Sequence, residues 1–271
     1  MKDVNLVAVT RGPGLVGALL VGLSYAKALA YGLGVPLVGV NHLEGHVMSA
    51  FAHRPDTPLP ALALVASGGH TELFLVKQPW SLERLGGTRD DAAGESFDKV
   101  AKALGLGYPG GPVVERMAGE GNAVFDVPVA MAGSGDLDFS FSGPKTAVKH
   151  IIQKIEKEGK KPPVADICAS FQKAIVEALK TKTAAAADMV SPSSIVVAGG
   201  VACNGALRQA MTKLGEDLGV PVIIPPPDLC SDNALMIAVA GAGKYLADPG
   251  SPEWRDYLDM DADAGWLPGK P

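Results

Sequence analysis

VNLVAVTRGPGLVGALLVGLSYAKALAYGLGVPLVGVN, residues 4–41, is the stretch from which the fold class is read. VNLVAV (4–9) is a short apolar run rich in β-branched residues and closed by the turn signal RGPG, which predicts a buried strand. LVGALLVGLSYAKALAYGLG (15–34) predicts a helix, with Gly32 and Gly34 as stop signals. VPLVGV (35–40) predicts a second strand, and Asn41 is suited to cap another helix. Strand, helix, strand and helix in short order imply a right-handed parallel crossover, and so an α/β protein.

Downstream, RPDTPLP (54–60) is polar and proline-rich, as a linker would be. In 61–78, two apolar runs flank Ser-Gly-Gly-His-Thr, the pattern of a β-hairpin, and 82–85 suits a third short strand. Apolar residues Phe97, Val100, Ala101 and Leu104 form a helical stripe within 92–105. Residues 107–145, rich in Gly, Pro and Asp, are expected to be irregular, with helices at about 146–158 and 164–189. Residues 193–227 repeat the strand–helix–strand pattern, and a last helix (233–247) precedes a polar tail. The same theme at 4–53 and 194–246 suggests two related lobes with a cleft between them.

The chain has 271 residues, 47% of them hydrophobic, enough for a sizeable core. Its 24 Lys and Arg against 29 Asp and Glu give a net charge of −5, which argues against a generally nucleic-acid-coated protein but allows a local basic patch. The basic KHIIQKIEKEGKK (149–161) is read as a solvated helix face, and Lys145 as an ordinary surface lysine that could touch an anion. Cys168, Cys203 and Cys230 share no metal-ligand spacing and read as free thiols in a reducing compartment. Asp3 and Arg11 stand where a secretory signal needs an unbroken apolar core. The most apolar run, 12–26, is interrupted by Lys27 and falls short of the roughly 18 residues of a membrane span. A cytoplasmic protein with no membrane association is expected.

NHLEGHVMSA (41–50) carries two histidines four residues apart. At about 100° per residue, His42 and His46 lie about 40° apart on one helix face, as two imidazoles on one metal require. In the metalloprotease pattern His-Glu-x-x-His, the Glu follows the first His and reaches the metal-bound water. Here Glu44 points roughly 180° from the middle of the pair and cannot serve as that base from the same helix, which weakens a peptidase reading. Such a pair is often an accident of sequence, and it needs a third ligand. Asp232 in CSDN, Asp228 in PPPD and the carboxylates of TRDDAAGE (88–95) are candidates, although Asp232 could simply cap the last helix.

Three glycine-rich loops, AVTRGPG (8–14), ASGGHT (66–71) and VVAGGVACNGAL (196–207), each bring small residues and backbone N–H groups to a strand end. Such ends can hold phosphate or carboxylate, and three in one α/β chain point to a nucleotide cleft. Neither a Walker A loop nor a dinucleotide fingerprint is present.

In order along nearly the whole chain, GPGLVGALLVG, NHLEGH, SGGHTEL, DDAAGESFDKVAKALGLGYPGGP, FSFSGPKTAV, AGGVACN and CSDNALMIA resemble the TsaD family of tRNA N6-adenosine threonylcarbamoyltransferases, once classed as glycoproteases. The resemblance implies an actin/Hsp70/sugar-kinase-like two-lobe fold. It implies transfer of threonylcarbamoyl from threonylcarbamoyl-AMP to N6 of the adenosine beside the anticodon, in tRNAs reading codons that begin with A. His42, His46 and Asp232 match the family's metal ligands, with iron(II) the usual ion and zinc the alternative. Val65, Ala66, Ser67, Gly68 and Gly69 match the loop around the substrate, and Asp98, Gly111 and Asn204 the other substrate positions. Asp98 is expected to orient the substrate, and Asn204 to contact adenosine or ribose. TsaB and TsaE are the implied partners, with the adenylate made by TsaC.

One departure accompanies the resemblance. Family members begin with a strand bearing a Gly-Ile-Glu-Thr-Ser-Cys-Asp-like motif and a hairpin, to which nothing here corresponds. The expectation is an N-terminally truncated first lobe, residues 1–59 joined by 230–271, beside a second lobe, 60–229. An exposed strand edge and reduced core would then lower stability. Competing readings are a non-catalytic scaffold resembling TsaB, an inactive fragment, and a kinase or ATPase of the same fold. The scaffold needs no metal, and autonomous ATP turnover lacks its first phosphate loop.

Overall fold

The computed structural model describes residues 3–268 except Pro79 and Ala132. Its centre is a five-stranded sheet in which the hairpin read at 61–78 supplies the two longest-paired strands. β3 (Ala61–Ala66) and β4 (Thr71–Gln78) pair antiparallel from Ala61↔Val76 to Ala66↔Thr71. β5 (Ser81–Gly87) extends β4, while β6 (Ser194–Ala198) and the two-residue β7 (Val222–Ile223) add parallel strands on the other side of β3, giving the order β5-β4-β3-β6-β7. A separate pair, β1 (Val7–Gly12) and β2 (Leu37–Asn41), is parallel and is linked by α1 (Val16–Leu33), as the opening stretch predicts.

Both faces of the larger sheet are covered, and alternate residues of β3 divide between two cores. Leu62 and Leu64 belong to a cluster with Phe97, Phe171, Ile175 and Leu179, from α3 (Ala93–Ala103) and α6 (Val164–Val190). Ala61, Ala63 and Val65 join Leu43, Val47, Met236 and Ile237, from α2 (His42–His53) and α9 (Ala234–Ala247). Phe97 and Phe171 meet edge to face, with ring centroids 5.2 Å apart. α2 is therefore held between the small sheet that launches it and the large sheet on which it lies.

Three boundaries differ from the sequence expectation. β1 begins three residues later than VNLVAV and runs into the expected turn, because its register with β2 reaches Gly12↔Asn41 through a bulge after Thr10. Residues 107–145 are not wholly irregular: α4 (Gly110–Ala118) packs on α3 and α6. Its opening Gly-Gly-Pro hides the helix from propensity, but proline is tolerated in a first turn, and Val114 and Ala118 are buried at a spacing of four. α5 starts at Ser142, four residues early, and runs to Lys157. Its Val148 and Ile152 face the core, and the basic residues of 149–161 form a solvated face as expected.

α1 has 18 residues and a mean hydropathy of 1.4, long and apolar enough to cross a membrane by length and composition, and longer than the run read from sequence. Lys27 does not end it, because its ammonium donates to the Leu258 carbonyl at 2.8 Å. Leu19, Leu23, Ala26 and Ala30 are the buried side of this helix, while Val16, Val21, Tyr25 and Tyr31 are exposed.

Within the expected strand–helix–strand of 193–227, the helical part resolves into a 3-10 turn (Gly200–Cys203) and α7 (Gly205–Leu218), with the short α8 (Pro227–Cys230) after β7. The segment after α9 lies against β1 and α2. Arg11 Nε donates to the Asp261 carbonyl at 2.9 Å, Asn41 Nδ2 to the Trp266 carbonyl at 2.9 Å, and Lys244 stands 5.2 Å over the Trp266 ring. α9 reaches β1 because Gly241 has no side chain: a Cβ there would sit 2.4 Å from that of Ala8. Gly241→Val should destabilise the chain by about 1–3 kcal/mol, the usual range for overpacking. Chemical denaturation would measure it, and an unchanged midpoint would refute the close approach.

Candidate metal centre and substrate cleft

Asn41 ends β2 and caps α2, its Oδ1 accepting from the backbone N–H of Leu43 at 2.9 Å and of Glu44 at 3.4 Å. That cap fixes the first turn of α2, which carries His42 and His46. Asp232 arrives from the segment between α8 and α9. It does not cap α9: Asn233 does, accepting from Met236 N at 2.9 Å, and the Asp232 carboxylate is left to face the histidines. Its Oδ1 lies 3.5 Å from His42 Nε2 and 3.2 Å from His46 Nε2.

These three side chains offer one ligand atom each, all within 4.8 Å of one another, and they are the set of this kind among the described residues. A tetrahedral ion about 2.1 Å from each ligand would separate them by about 3.4 Å, close to the observed spacing. His46 is fully buried, yet neither of its ring nitrogens has an aligned hydrogen-bond partner. A buried imidazole left so is costly unless something else takes its lone pair. Burial pushes the His46 pKa down, and the closeness of the His42 and His46 rings holds the Asp232 carboxyl far below the usual carboxylate range. Neutral imidazole and ionised carboxylate are the forms that bind a cation. The residues present therefore fit a divalent metal.

The other candidate ligands are engaged elsewhere or stand outside the cluster. Asp90 accepts from Ser140 Oγ, Ser142 Oγ and Phe141 N, and Asp91 from Lys99 and Lys145. Lys145, read as an ordinary surface lysine, is thus tied to Asp91 at the start of α5. Glu95 pairs with Lys99 at 2.8 Å, and Asp228 lies on α8 outside the ligand cluster. Glu44 points away from the imidazoles, as the helical arithmetic predicts, and makes an ion pair of 2.5 Å with Lys244 of α9. Between the two histidines, Gly45 lets α9 close in: a Cβ there would lie 2.9 Å from Ile237 Cδ1 and 3.2 Å from Met236 Cγ.

Beside the metal ligands lies a cavity of about 450 Å³ whose wall includes Ser67, Gly68, Asp98, Gly111, Asn204 and Asp232. Its floor is the β3–β4 turn, closed by Ser67 N–H to the His70 carbonyl (2.8 Å) and by His70 N–H to Ser67 Oγ (3.2 Å). α3 begins hard against that turn. Gly94 N–H donates to the Ser67 carbonyl at 3.1 Å, and a Cβ on Gly94 would lie 2.5 Å from the same oxygen. Gly199, at φ 90°, crosses the end of β3 so closely that a Cβ would meet the Ala66 carbonyl at 2.3 Å. At Gly68 and Gly69 a Cβ would meet nothing.

The sequence-derived substrate residues do not all reach this cavity. Val65 and Ala66 are fully buried strand residues that line no cavity described here. Gly69 lines a second hollow of about 540 Å³, on the side of β1 and α1, which shares Ser67, Gly68 and Asp232 with the first. Asp98 Oδ1 accepts from Gly110 N at 2.7 Å and so fixes the start of α4. Asn204 is nearly buried, and both ends of its amide have partners: Oδ1 accepts from Leu207 N (3.0 Å) and Nδ2 donates to Gln172 Oε1 (2.8 Å). A direct grip on adenosine is thus less open to Asn204 than its place before α7 suggests; it shapes the wall.

Tyr108, Glu115 and His70 escaped the sequence reading. Tyr108 and Glu115 line the first cavity, and Glu115 Oε1 accepts from Gly205 N at 2.7 Å. The exposed aromatic in YPGGP was the available signal for Tyr108; Glu115 gave none, because its helix was not foreseen. His70 lines the second hollow, with its pKa lowered by burial and by the neighbouring histidines.

A family model described as TsaD, tRNA N6-adenosine threonylcarbamoyltransferase, matches residues 1–239. A tRNA N6-adenosine threonylcarbamoyltransferase from Moorella thermoacetica is 52% identical over 264 residues, 97% of this chain and 75% of that protein. One from Thermosipho africanus is 51% identical, over 90% of this chain and 74% of its own length. Among solved structures, T. kodakarensis HypF has a TM-score of 0.60 at 18% identity, covering 93% of this chain and 42% of its own. The ADPNP-bound activator of 2-hydroxyisocaproyl-CoA dehydratase from Clostridium difficile has a TM-score of 0.50 at 15% identity, covering 88% and 85%. These likenesses show the fold, that of the actin/Hsp70/sugar-kinase class.

Purified protein should hold one equivalent of divalent metal by elemental analysis. Both His46→Ala and Gly45→Val should lose it, the second with every ligand still present. Full metal retention in Gly45→Val would mean that the approach of α9 to α2 does not set the ligand spacing.

Proposed function

The chain belongs to the TsaD family of tRNA N6-adenosine threonylcarbamoyltransferases, and on that premise we propose how its cleft carries out the reaction. It is an acyltransferase acting on tRNA. The threonylcarbamoyl group passes to N6 of the adenosine beside the anticodon in tRNAs that read codons beginning with A.

The donor in this proposal is threonylcarbamoyl-AMP, a mixed anhydride whose leaving group is AMP. It occupies the 450 Å³ cavity, with its anhydride toward Ser67, Gly68 and Asp232. The N–H groups of Ser67 and His70 are used by the turn itself, which leaves those of Gly68 and Gly69 to face negative charge developing on the acyl or phosphate oxygen. Asp98 keeps Oδ2 for a donor hydroxyl or amine while Oδ1 holds α4. His42, His46 and Asp232 would hold a divalent cation, iron(II) in this reading with zinc as the alternative, which when bound would supply Lewis-acid polarisation. The second hollow, on the other side of the same turn, gives the acceptor adenosine a route to the carbamoyl carbon. TsaB and TsaE are the proposed protein partners, TsaC the source of the adenylate, and the cytoplasm the compartment.

One observation carries this reading: two imidazoles one helical turn apart meet a carboxylate on the rim of a nucleotide-sized cavity, and the buried one has no aligned hydrogen-bond partner. Incubation of the chain with threonylcarbamoyl-AMP, unmodified tRNA, TsaB and TsaE should yield threonylcarbamoyladenosine on nucleoside mass spectrometry. His46→Ala should lower the rate beyond the roughly 10–100-fold typical of losing an outer partner of a metal ligand. A wild-type rate in His46→Ala would overturn the assignment.

A valine at position 68 gives an independent check. It has room in the protein, on the turn that lines the donor cavity. Gly68→Val should leave stability within about 0.5 kcal/mol while weakening AMP binding at least tenfold by calorimetry. Unchanged AMP affinity would place the donor elsewhere.

A further inference from the structure

The segment after α9 is strapped across the end of the small sheet. Asp263 N–H donates to the Arg11 carbonyl at 2.9 Å, Arg11 Nε to the Asp261 carbonyl at 2.9 Å, and Gly14 N–H to the Ala264 carbonyl at 3.3 Å. Gly12 makes room for the strap: a Cβ there would lie 1.8 Å from the Asp263 carbonyl oxygen. Upstream, Tyr257 is buried in a cluster with Val7, Ala26, Ala30 and Leu37. At the far end, Leu267 packs against the core that holds α2. The half-buried Trp266 is thereby placed at the start of α2, with two separate links to the turn that carries His42 and His46.

The first link runs through its carbonyl, which accepts from Asn41 Nδ2 at 2.9 Å. Asn41 is fully buried, so that amide N–H needs a partner, and the strap supplies it. The other end of the same amide, Oδ1, caps α2 at Leu43 and Glu44. The Trp266 carbonyl therefore decides which end of the amide faces the helix. Aspartate would cap equally well but has no donor for that carbonyl, and serine or threonine presents one oxygen where asparagine presents two ends. The second link runs through the ring. Lys244 Nζ lies 5.2 Å from its centroid and Arg11 5.4 Å, and Lys244 pairs with Glu44 at 2.5 Å. Both paths end in the first turn of α2.

We propose that Trp266 is a positioning residue of the metal centre: through Asn41 and Lys244, the C-terminal strap holds the first turn of α2 so that its two imidazoles face Asp232 before any cation arrives. Trp266 acts on the helix that carries the ligands, not on the cation. With its ring removed, α2 keeps its cap residue and all three ligands, but the turn is no longer fixed from outside. A cation must then order that turn as it binds, and the ordering lowers its affinity. The effect on metal rests on the ligand assignment made above; the ordering of the turn does not.

The test uses the full chain and two readouts, hydrogen exchange of the metal-free protein and zinc affinity by competition with a chromophoric chelator. In Trp266→Ala, amides of 41–47 should exchange about tenfold faster while those of β3 and β4 keep their wild-type rates, a local change that a general loss of stability does not give. Its zinc affinity should fall about tenfold or more, as when an outer partner of a metal ligand is lost. Trp266→Phe keeps an aromatic face and should stay within about threefold of wild type in both. Asn41→Ser keeps a capping oxygen and leaves the strap unaltered, and should show the same local exchange and the same loss of zinc. The double variant should lose less than the product of the two single losses, because both cut one path. Wild-type exchange across 41–47 in Asn41→Ser or in a folded Trp266→Ala, or losses that multiply in the double variant, would overturn the proposal. Absence of zinc binding by the wild-type chain would instead overturn the ligand assignment, and exchange alone would then decide the role of the strap.

Discussion

The structure depends on how closely α9 can approach the first turn of α2. Asn41 sets where α2 begins, and Asn233 sets where α9 begins. With both ends capped by asparagine, the two histidines and Asp232 carry no capping duty and can face one another. Gly45 lets the two helices approach closely: a Cβ there would lie 2.9 Å from Ile237 Cδ1 and 3.2 Å from Met236 Cγ, so those side chains would have to move. Ligand spacing thus depends on how these helices pack. Glu44 and Lys244 tie the same two helices on the side away from the imidazoles.

The cleft is built by the same logic on a larger scale. β3 is covered on both faces, so its end is fixed by two cores at once, and the turn that follows inherits that rigidity. The N-terminus of α3 presses on one side of the turn through Gly94, and the crossing after β6 presses on the other through Gly199. Gly68 and Gly69, by contrast, open onto empty space. Glycine thus serves two opposite purposes here: close backbone contact behind the turn, and unobstructed amides in front of it. Three elements distant in sequence, α2, the β3–β4 turn and the approach to α9, meet at the ligand cluster beside the cavity.

Much of this was legible in the chain itself. The opening strand–helix–strand, the hairpin about SGGHT and the helical histidine pair follow from local periodicity and turn chemistry, which do not depend on distant partners. The exclusion of Glu44 as a metalloprotease base is likewise helical geometry, and its partner Lys244 agrees with it. The choice of Asp232 over Asp228 and the acidic residues of 88–95 was not legible from spacing, because it depends on which carboxylates Lys99, Lys145 and Ser140 engage. α4 was missed because Gly-Gly-Pro reads as a loop, whereas contact with α3 and α6 makes it a helix. Glu115 was lost with it. Asn204 lines the cavity, but its amide also bonds Gln172 and the α7 backbone, contacts that its place before a helix does not reveal. The chain spans about three quarters of the length of the Moorella and Thermosipho relatives.

X-ray absorption at the metal edge of the iron(II)-loaded chain tests the central claim most directly. Two imidazole nitrogens and a carboxylate oxygen at roughly 2.0–2.2 Å, with the multiple-scattering signature of histidine rings, are the predicted first shell. A spectrum showing oxygen ligands alone, like that of the hydrated ion, would contradict the account at its root.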